Sequence, residues 1–129
     1  MWEKRQSFPD LITLTLAPHA VYTVYENTLR EIAERSAMEN LPIHIHLSET
    51  AFEVEQCHAL HNSSPVEYLD KIGLLSNRTL AAHSVHLSDR DIDILSERGV
   101  TTSYMPCSNY KLASGQFRFR ALCDRKVRV

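Results

Sequence analysis

The sequence predicts an α/β fold in which parallel strands alternate with helices. Three observations support this prediction: apolar, β-branched runs recur along the 129 residues, helical patterns with capping signals lie between them, and the two kinds of segment alternate. A strand, a helix and a further strand form a βαβ unit, and repeated units build a parallel sheet. Two architectures satisfy this pattern: an open doubly wound sheet, or part of a (β/α)8 barrel. The barrel could only be partial, because a complete one takes about 250 residues.

Four runs are predicted as strands, and a short fifth run follows near the end of the sequence. The runs are Leu11–Ala17, Pro42–Leu47, Thr79–Val85, Val100–Met105 and Val127–Val129. Their apolar residues do not alternate strictly with polar ones, which favours burial on both faces of the sheet. No linker or low-complexity segment interrupts them, so residues 1–129 are predicted to form a single domain.

Five helices are predicted between and after these strands. Four of them have recognisable N-cap residues, namely Thr23, Thr50, Ser64 and Ser88. After each of the first three caps, a glutamate three residues later completes a capping-box pattern. In the helix after Thr50, one face is expected to carry Phe52, Gln56, Ala59 and Leu60. The fifth helix is expected over residues 117–124.

The composition is that of an ordinary globular domain, with 43% hydrophobic and 23% charged residues. A formal net charge of -2 gives no electrostatic reason to expect nucleic acid or an anionic membrane as a partner. No apolar run approaches the roughly 20 residues of a membrane helix. Three widely spaced cysteines favour reduced thiols and hence a cytoplasmic protein. The sequence leaves self-association into a homo-oligomer open.

Polar side chains follow the predicted strands at their carboxyl ends, where parallel α/β proteins place their sites. These residues are His19 after the first run, His46 and Glu49 at the end of the second, His83 in the third, and Ser108 with Asn109 after the fourth. A strand is a costly place for an imidazole unless something binds it. We therefore expect these groups to converge on one rim of the sheet.

The residues alone leave open what each group does. His44 and His46 lie two positions apart on a strand and face the same way, so either both bind one divalent ion such as zinc or iron, or one binds while the other packs. The second arrangement is favoured, with His46 as the ligand. Glu49 is either a proton shuttle beside the ion or an ordinary acid in the first turn of the next helix. His83 is either a site residue or a buried core histidine.

The amino-acid sequences of five segments resemble motifs of the amidohydrolase superfamily. The segments are 17–24 (APHAVYTV), 42–50 (PIHIHLSET), 65–69 (PVEYL), 80–87 (LAAHSVHL) and 106–115 (PCSNYKLASG). The resemblance is strongest to methylthioadenosine/S-adenosylhomocysteine deaminases and to the related triazine chlorohydrolases. It covers the sequence from about Leu11 to Val129.

The resemblance implies a partial (β/α)8 barrel, from about strand four to strand eight, around one divalent metal, with zinc preferred over iron. It implies that His46 binds the metal, that His19 contacts the substrate, and that Glu49 both touches the substrate and moves its proton. His83 is implied to orient or activate the attacking water. The implied reaction is hydrolytic deamination, or dechlorination, of an adenosine-like or other nitrogen heterocycle, which makes this small molecule the expected partner.

The sequence departs from the family pattern at two points. It has no His-x-His before His19, and it stops at Val129 before the expected metal-binding aspartate. We therefore expect the 129-residue chain by itself to bind metal weakly and to be inactive, because a catalytic zinc usually takes three protein ligands. The competing interpretation is a non-catalytic, flavodoxin-like binding or interaction module whose histidines are incidental.

Overall fold

The computed structural model describes residues 12–129, and the expected α/β architecture is confirmed there. The elements in chain order are α1 (Glu26–Glu39), β1 (Ile43–Leu47), α2 (Ala51–His61), α3 (Pro65–Lys71), β2 (Thr79–His83), α4 (Asp89–Glu97), β3 (Thr101–Ser103), α5 (Pro106–Lys111) and α6 (Phe119–Asp124). No helix within residues 12–129 has both the length and the apolar character needed to cross a membrane.

The strands form a parallel sheet in the order β1-β2-β3. A further segment lies at each edge: Leu16 forms a parallel bridge to Ile43, and Arg128 forms one to Thr101. Five parallel segments therefore lie side by side in chain order. The strands of a barrel follow one another in chain order, whereas the strand order of a flavodoxin-like sheet reverses partway across the sheet. The barrel interpretation is thus favoured by topology alone.

One face of the sheet packs into the core and the other stays more open. Ile43, Ile45 and Leu47 of β1 are each at most 1% exposed and belong to one apolar cluster with residues of the surrounding helices. His44 and His46 alternate with them; His44 is exposed and His46 is half-buried. The expectation of burial on both faces is therefore wrong for this part of β1.

The capping signals locate three helices correctly and misplace one. The side chains of Thr50, Ser64 and Ser88 accept hydrogen bonds from the third residue of α2, α3 and α4, respectively. Thr23 does not cap α1, which begins at Glu26 after Tyr25. Its hydroxyl instead donates to the carbonyl of Ala20, 3.2 Å away, and so belongs to the turn before the helix.

The buried face of α2 differs from the prediction. Phe52 and Leu60 are 70% and 69% exposed, whereas Glu53 and Cys57 are buried. The carboxylate of Glu53 accepts two backbone hydrogen bonds from the turn after β1, which draws this side of the helix inwards. Hydrophobic spacing could not predict this, because the anchoring contact is polar.

The predicted strands are all shorter in the structure than expected. The first run contributes only a single bridge at Leu16 within the described residues, and Leu11 lies outside them. The last run contributes only the bridge at Arg128. The second run begins at Ile43 and the third ends at His83. The run from Val100 to Met105 reduces to β3, because Pro106 then opens α5.

The burial of Cys57 predicts unequal reactivity of the three thiols. Burial raises the pKa of Cys57 to about 11, while Cys107 and Cys123 are exposed. Because only the thiolate is alkylated, iodoacetamide at about pH 8 should label Cys107 and Cys123 in the folded protein and leave Cys57 unmodified until denaturant is added. Peptide mass spectrometry measures each site. Equal labelling rates for Cys57 and Cys123 in the native state would contradict the packing of α2.

Candidate metal and substrate site

The site is built where β1 and β2 end next to each other. In the parallel register His46 lies beside Ala82, and Leu47 lies beside His83. Beyond this point the two chains stay tied, since the amide of Ser84 donates to the carbonyl of Leu47 over 2.9 Å. The two strand ends therefore hold their side chains at one fixed separation.

Left-handed backbone marks the turns at both strand ends. Ser48, His83 and Ser84 have φ values of 49°, 70° and 49°, although none of them is glycine. Such a conformation costs roughly 1–3 kcal/mol per residue and persists where the surroundings enforce it. Here the amides of Val85 and His86 both donate to the carbonyl of Ser48, which locks one turn against the other.

The four predicted site residues converge at these turns. One ligand atom from each of His46, Glu49 and His83 lies within 4.8 Å of the others. The ring centroids of His46 and His83 are 5.0 Å apart, and so are those of His19 and His46. His44, on the same face of β1, is not a member of the three-residue cluster.

His19 is held beside β1 by both backbone and side chain. Its carbonyl accepts from the amide of His46 over 2.9 Å, and its Nδ1 lies 2.8 Å from the hydroxyl oxygen of Thr23. The Thr23 hydroxyl oxygen also lies 3.2 Å from the carbonyl oxygen of Ala20, so Thr23 links the ring of His19 to the turn before α1.

His46 has the properties of a metal ligand. Its Nδ1 is buried and has no hydrogen-bond partner among residues 12–129, a costly arrangement that coordination would offset. Burial, followed by the neighbouring His83 and His19, lowers the pKa of His46 and keeps the ring neutral, which is the form that binds metals. Imidazole and carboxylate groups are donor types that zinc and iron bind, and His83 and Glu49 lie beside His46. The residues present are therefore chemically suited to surround a divalent ion.

Glu49 lies before α2 and not within it, so its interpretation as an ordinary first-turn acid is wrong. The acid of that first turn is Glu53, which is 2% exposed. Its carboxylate accepts from the amides of Ser48 and Glu49 over 2.9 and 2.8 Å. Burial raises the pKa of Glu53, and the same two amides oppose that rise. Glu53 thereby fixes the backbone that carries Glu49.

His83 is 4% exposed, and its Nδ1 lies 2.8 Å from the side-chain oxygen of Asn109 and 3.5 Å from Oε1 of Glu49. The same Glu49 oxygen lies 3.5 Å from the Ser114 hydroxyl. Asn109 and Ser114 come from α5 and the loop after it. Sequence reasoning placed Asn109 near a pocket but gave it no partner, and it missed Glu53 and Ser114 as supports of the site. The capping-box pattern at Thr50 was the one signal that pointed to Glu53.

Comparisons with known proteins identify similar sequences and a similar structure. The sequence pattern of the amidohydrolase family matches residues 3–129. A 5'-deoxyadenosine deaminase of Methanothermobacter thermautotrophicus is 48% identical over 120 residues, which are 93% of this chain and 28% of the relative. A 5-methylthioadenosine/S-adenosylhomocysteine deaminase of Thermodesulfovibrio yellowstonii is 49% identical over 120 residues, 93% of this chain and 27% of the relative. The chain thus spans less than a third of the length of these relatives.

A solved structure of a similar protein has the same fold over this stretch of chain. The zinc-bound adenosine deaminase from Xanthomonas campestris superposes with a TM-score of 0.91 at 35% identity, covering 98% of this chain and 29% of that one. The match supports the assignment of the sheet to part of a barrel.

The contact between Glu53 and the turn predicts slow amide exchange in a loop. In the substitution Glu53→Gln, one of the two acceptor oxygens is replaced by a donor, so one amide of Ser48 and Glu49 loses its partner. Loss of a hydrogen bond worth about 1.4 kcal/mol should speed hydrogen exchange at that amide about tenfold. Glu55→Gln, at an exposed position of the same helix, is the matched control. Unchanged protection at both amides in Glu53→Gln would show that the contact does not hold the turn.

Proposed function

Because this chain belongs to the amidohydrolase family, we propose that His46, Glu49 and His83 form part of the active site of a metal-dependent hydrolase that removes an amino group from an adenosine-type heterocycle. The observation that carries the proposal is the convergence of three ligand-type atoms within 4.8 Å at the carboxyl end of the sheet. The activity is proposed for the full-length gene product, since the chain spans only 28% and 27% of the two deaminases.

His46 is the residue that we assign to the metal, and zinc is the preferred ion. A bound divalent ion supplies a water of lowered pKa, and so a nucleophile at neutral pH. The unpartnered Nδ1 and the lowered pKa of His46 support this assignment. The zinc-bound adenosine deaminase that shares the fold supports the choice of metal.

Glu49 and His83 are assigned to proton transfer. Hydrolytic removal of an amino group requires a proton on the ring nitrogen next to the attacked carbon, and removal of a proton from the water. Glu49 is only partly buried, so its carboxylate can reach a substrate and deliver a proton. His83 is almost fully buried, its Nδ1 lies 3.5 Å from Oε1 of Glu49, and we assign it to accept the proton of the water. His19 is exposed at the rim and is assigned to contact with the substrate.

The names of the relatives favour deamination and an adenosine-type substrate. Two relatives at 48% and 49% identity are named as deaminases of 5'-deoxyadenosine and of 5-methylthioadenosine or S-adenosylhomocysteine. The proposed partner of this protein is accordingly a small purine nucleoside.

The decisive experiment measures ammonia release from 5'-deoxyadenosine, 5-methylthioadenosine and S-adenosylhomocysteine by the full-length gene product. Glu49→Gln removes the proton carrier at nearly constant size and should lower kcat by about a hundred- to ten-thousand-fold. Glu55→Gln should keep full activity, since this glutamate is exposed on α2. Absence of ammonia from all three nucleosides, or an undiminished rate in Glu49→Gln, would refute the proposal. Chloride release from a chlorotriazine would redirect it to dechlorination.

Metal removal provides a second prediction. A chelator should abolish ammonia release by the full-length gene product, and zinc should restore it. The 129-residue chain by itself should bind zinc weakly, because we assign only His46 as a ligand within it and a catalytic zinc usually takes three. Isothermal titration calorimetry measures the affinity. Tight, stoichiometric zinc together with turnover by the 129-residue chain would contradict this ligand assignment.

A further inference from the structure

We propose that Asn109 positions His83, holding the proton of its neutral ring on Nδ1 and leaving the lone pair on Nε2. The inference rests on the proposed function, in which His83 accepts a proton from water. It adds the residue that prepares His83 for that task.

Two acceptor oxygens surround one ring nitrogen of His83. Nδ1 of His83 has the Oδ1 atom of Asn109 at 2.8 Å and the Oε1 atom of Glu49 at 3.5 Å. A carbonyl oxygen and a carboxylate oxygen are both acceptors, so a lone pair on Nδ1 would face two other lone pairs. A proton on Nδ1 meets an acceptor at hydrogen-bond distance instead. Oε1 of Glu49 is an acceptor in either orientation of the Asn109 amide, and it adds to this preference from a longer distance.

Asn109 is held firmly by its surroundings. The residue is 1% exposed, and its carbonyl accepts from the amide of Ser114 over 2.9 Å. The carbonyl of Ser114 accepts in turn from Nε2 of His86, which follows β2. A Cβ on Gly115, at φ +131°, would lie 3.0 Å from Val85 and 3.1 Å from His86, so this loop packs against the chain just after His83. Asn109 is thus fixed relative to β2 from both sides.

The chemical consequence concerns the direction of proton transfer. A neutral imidazole accepts a proton only at the nitrogen that lacks one. With Nδ1–H donated to Asn109, His83 takes a proton at Nε2 and becomes an imidazolium whose Nδ1–H bond is retained. A partner that fixes the tautomer of a site histidine typically affects activity by about 10- to 100-fold.

The test reads the tautomer directly, without substrate. Histidine labelled with ¹⁵N in the full-length gene product gives the protonated nitrogen of each ring by long-range proton–nitrogen correlation at about pH 8, and His83→Gln identifies the signal of His83. The expected result is a proton on Nδ1. A proton on Nε2 of the unmodified protein would overturn the proposal.

Two variants of similar size test the part played by Asn109. Asn109→Asp keeps an oxygen acceptor and should keep the Nδ1–H tautomer. Asn109→Leu removes the acceptor and should shift His83 toward Nε2–H, with kcat falling about 10- to 100-fold while KM stays nearly constant. An unchanged His83 tautomer in Asn109→Leu would also overturn the proposal. If Asn109→Leu fails to fold, the tautomer of the unmodified protein still decides.

The readouts separate this inference from the proposed function. A protein that releases no ammonia from any nucleoside but shows Nδ1–H at His83 would refute the proposed function and leave the role of Asn109 in fixing the ring intact. An active protein with Nε2–H at His83 would refute the role of Asn109 and leave the proposed function intact.

Discussion

The arrangement of the site depends on two parallel strands that end side by side and turn together. Neighbouring parallel strands have their carboxyl ends at the same edge, so the register of β1 against β2 brings the chain after His46 next to His83. Hydrogen bonds from Ser84, Val85 and His86 to the end of β1 continue this pairing beyond the strands. The left-handed backbone at the turns is the local cost of aiming side chains from both strands at one point.

Polar residues outside the cluster hold this arrangement in place. Glu53 binds the amides that carry Glu49, Asn109 binds the ring of His83, and Thr23 hydrogen-bonds to the ring of His19. These supports come from α2, from α5 and from the turn before α1, so three separate segments each orient one group. A buried polar residue is favourable only with a partner, and the two backbone amides bound by its carboxylate explain why Glu53 can lie within the protein.

Sequence reasoning predicted the parts of this structure that depend on local chemistry. The alternation of strands and helices, the caps at Thr50, Ser64 and Ser88, and the strand-end histidines all follow from spacing and residue type. It failed where the deciding contact is a polar one that hydrophobic spacing does not reveal. The inward turn of Glu53, and hence the exposed Phe52, depends on the amides of Ser48 and Glu49 just after β1. The pair of His83 with Asn109 joins residues 26 positions apart. The predicted N-cap at Thr23 was wrong for a local reason, because its hydroxyl hydrogen-bonds to the carbonyl of Ala20 in the turn before α1.

The tied turns after β1 and β2 limit how this chemistry can be transplanted. Copying His46, Glu49 and His83 onto another parallel sheet would reproduce the side chains without their directions, because the directions come from left-handed residues such as Ser48 and Ser84. A successful graft would have to carry the backbone of both turns together with Glu53. The smallest movable unit is therefore a pair of adjacent strand ends with their supporting helix, and not a set of ligands.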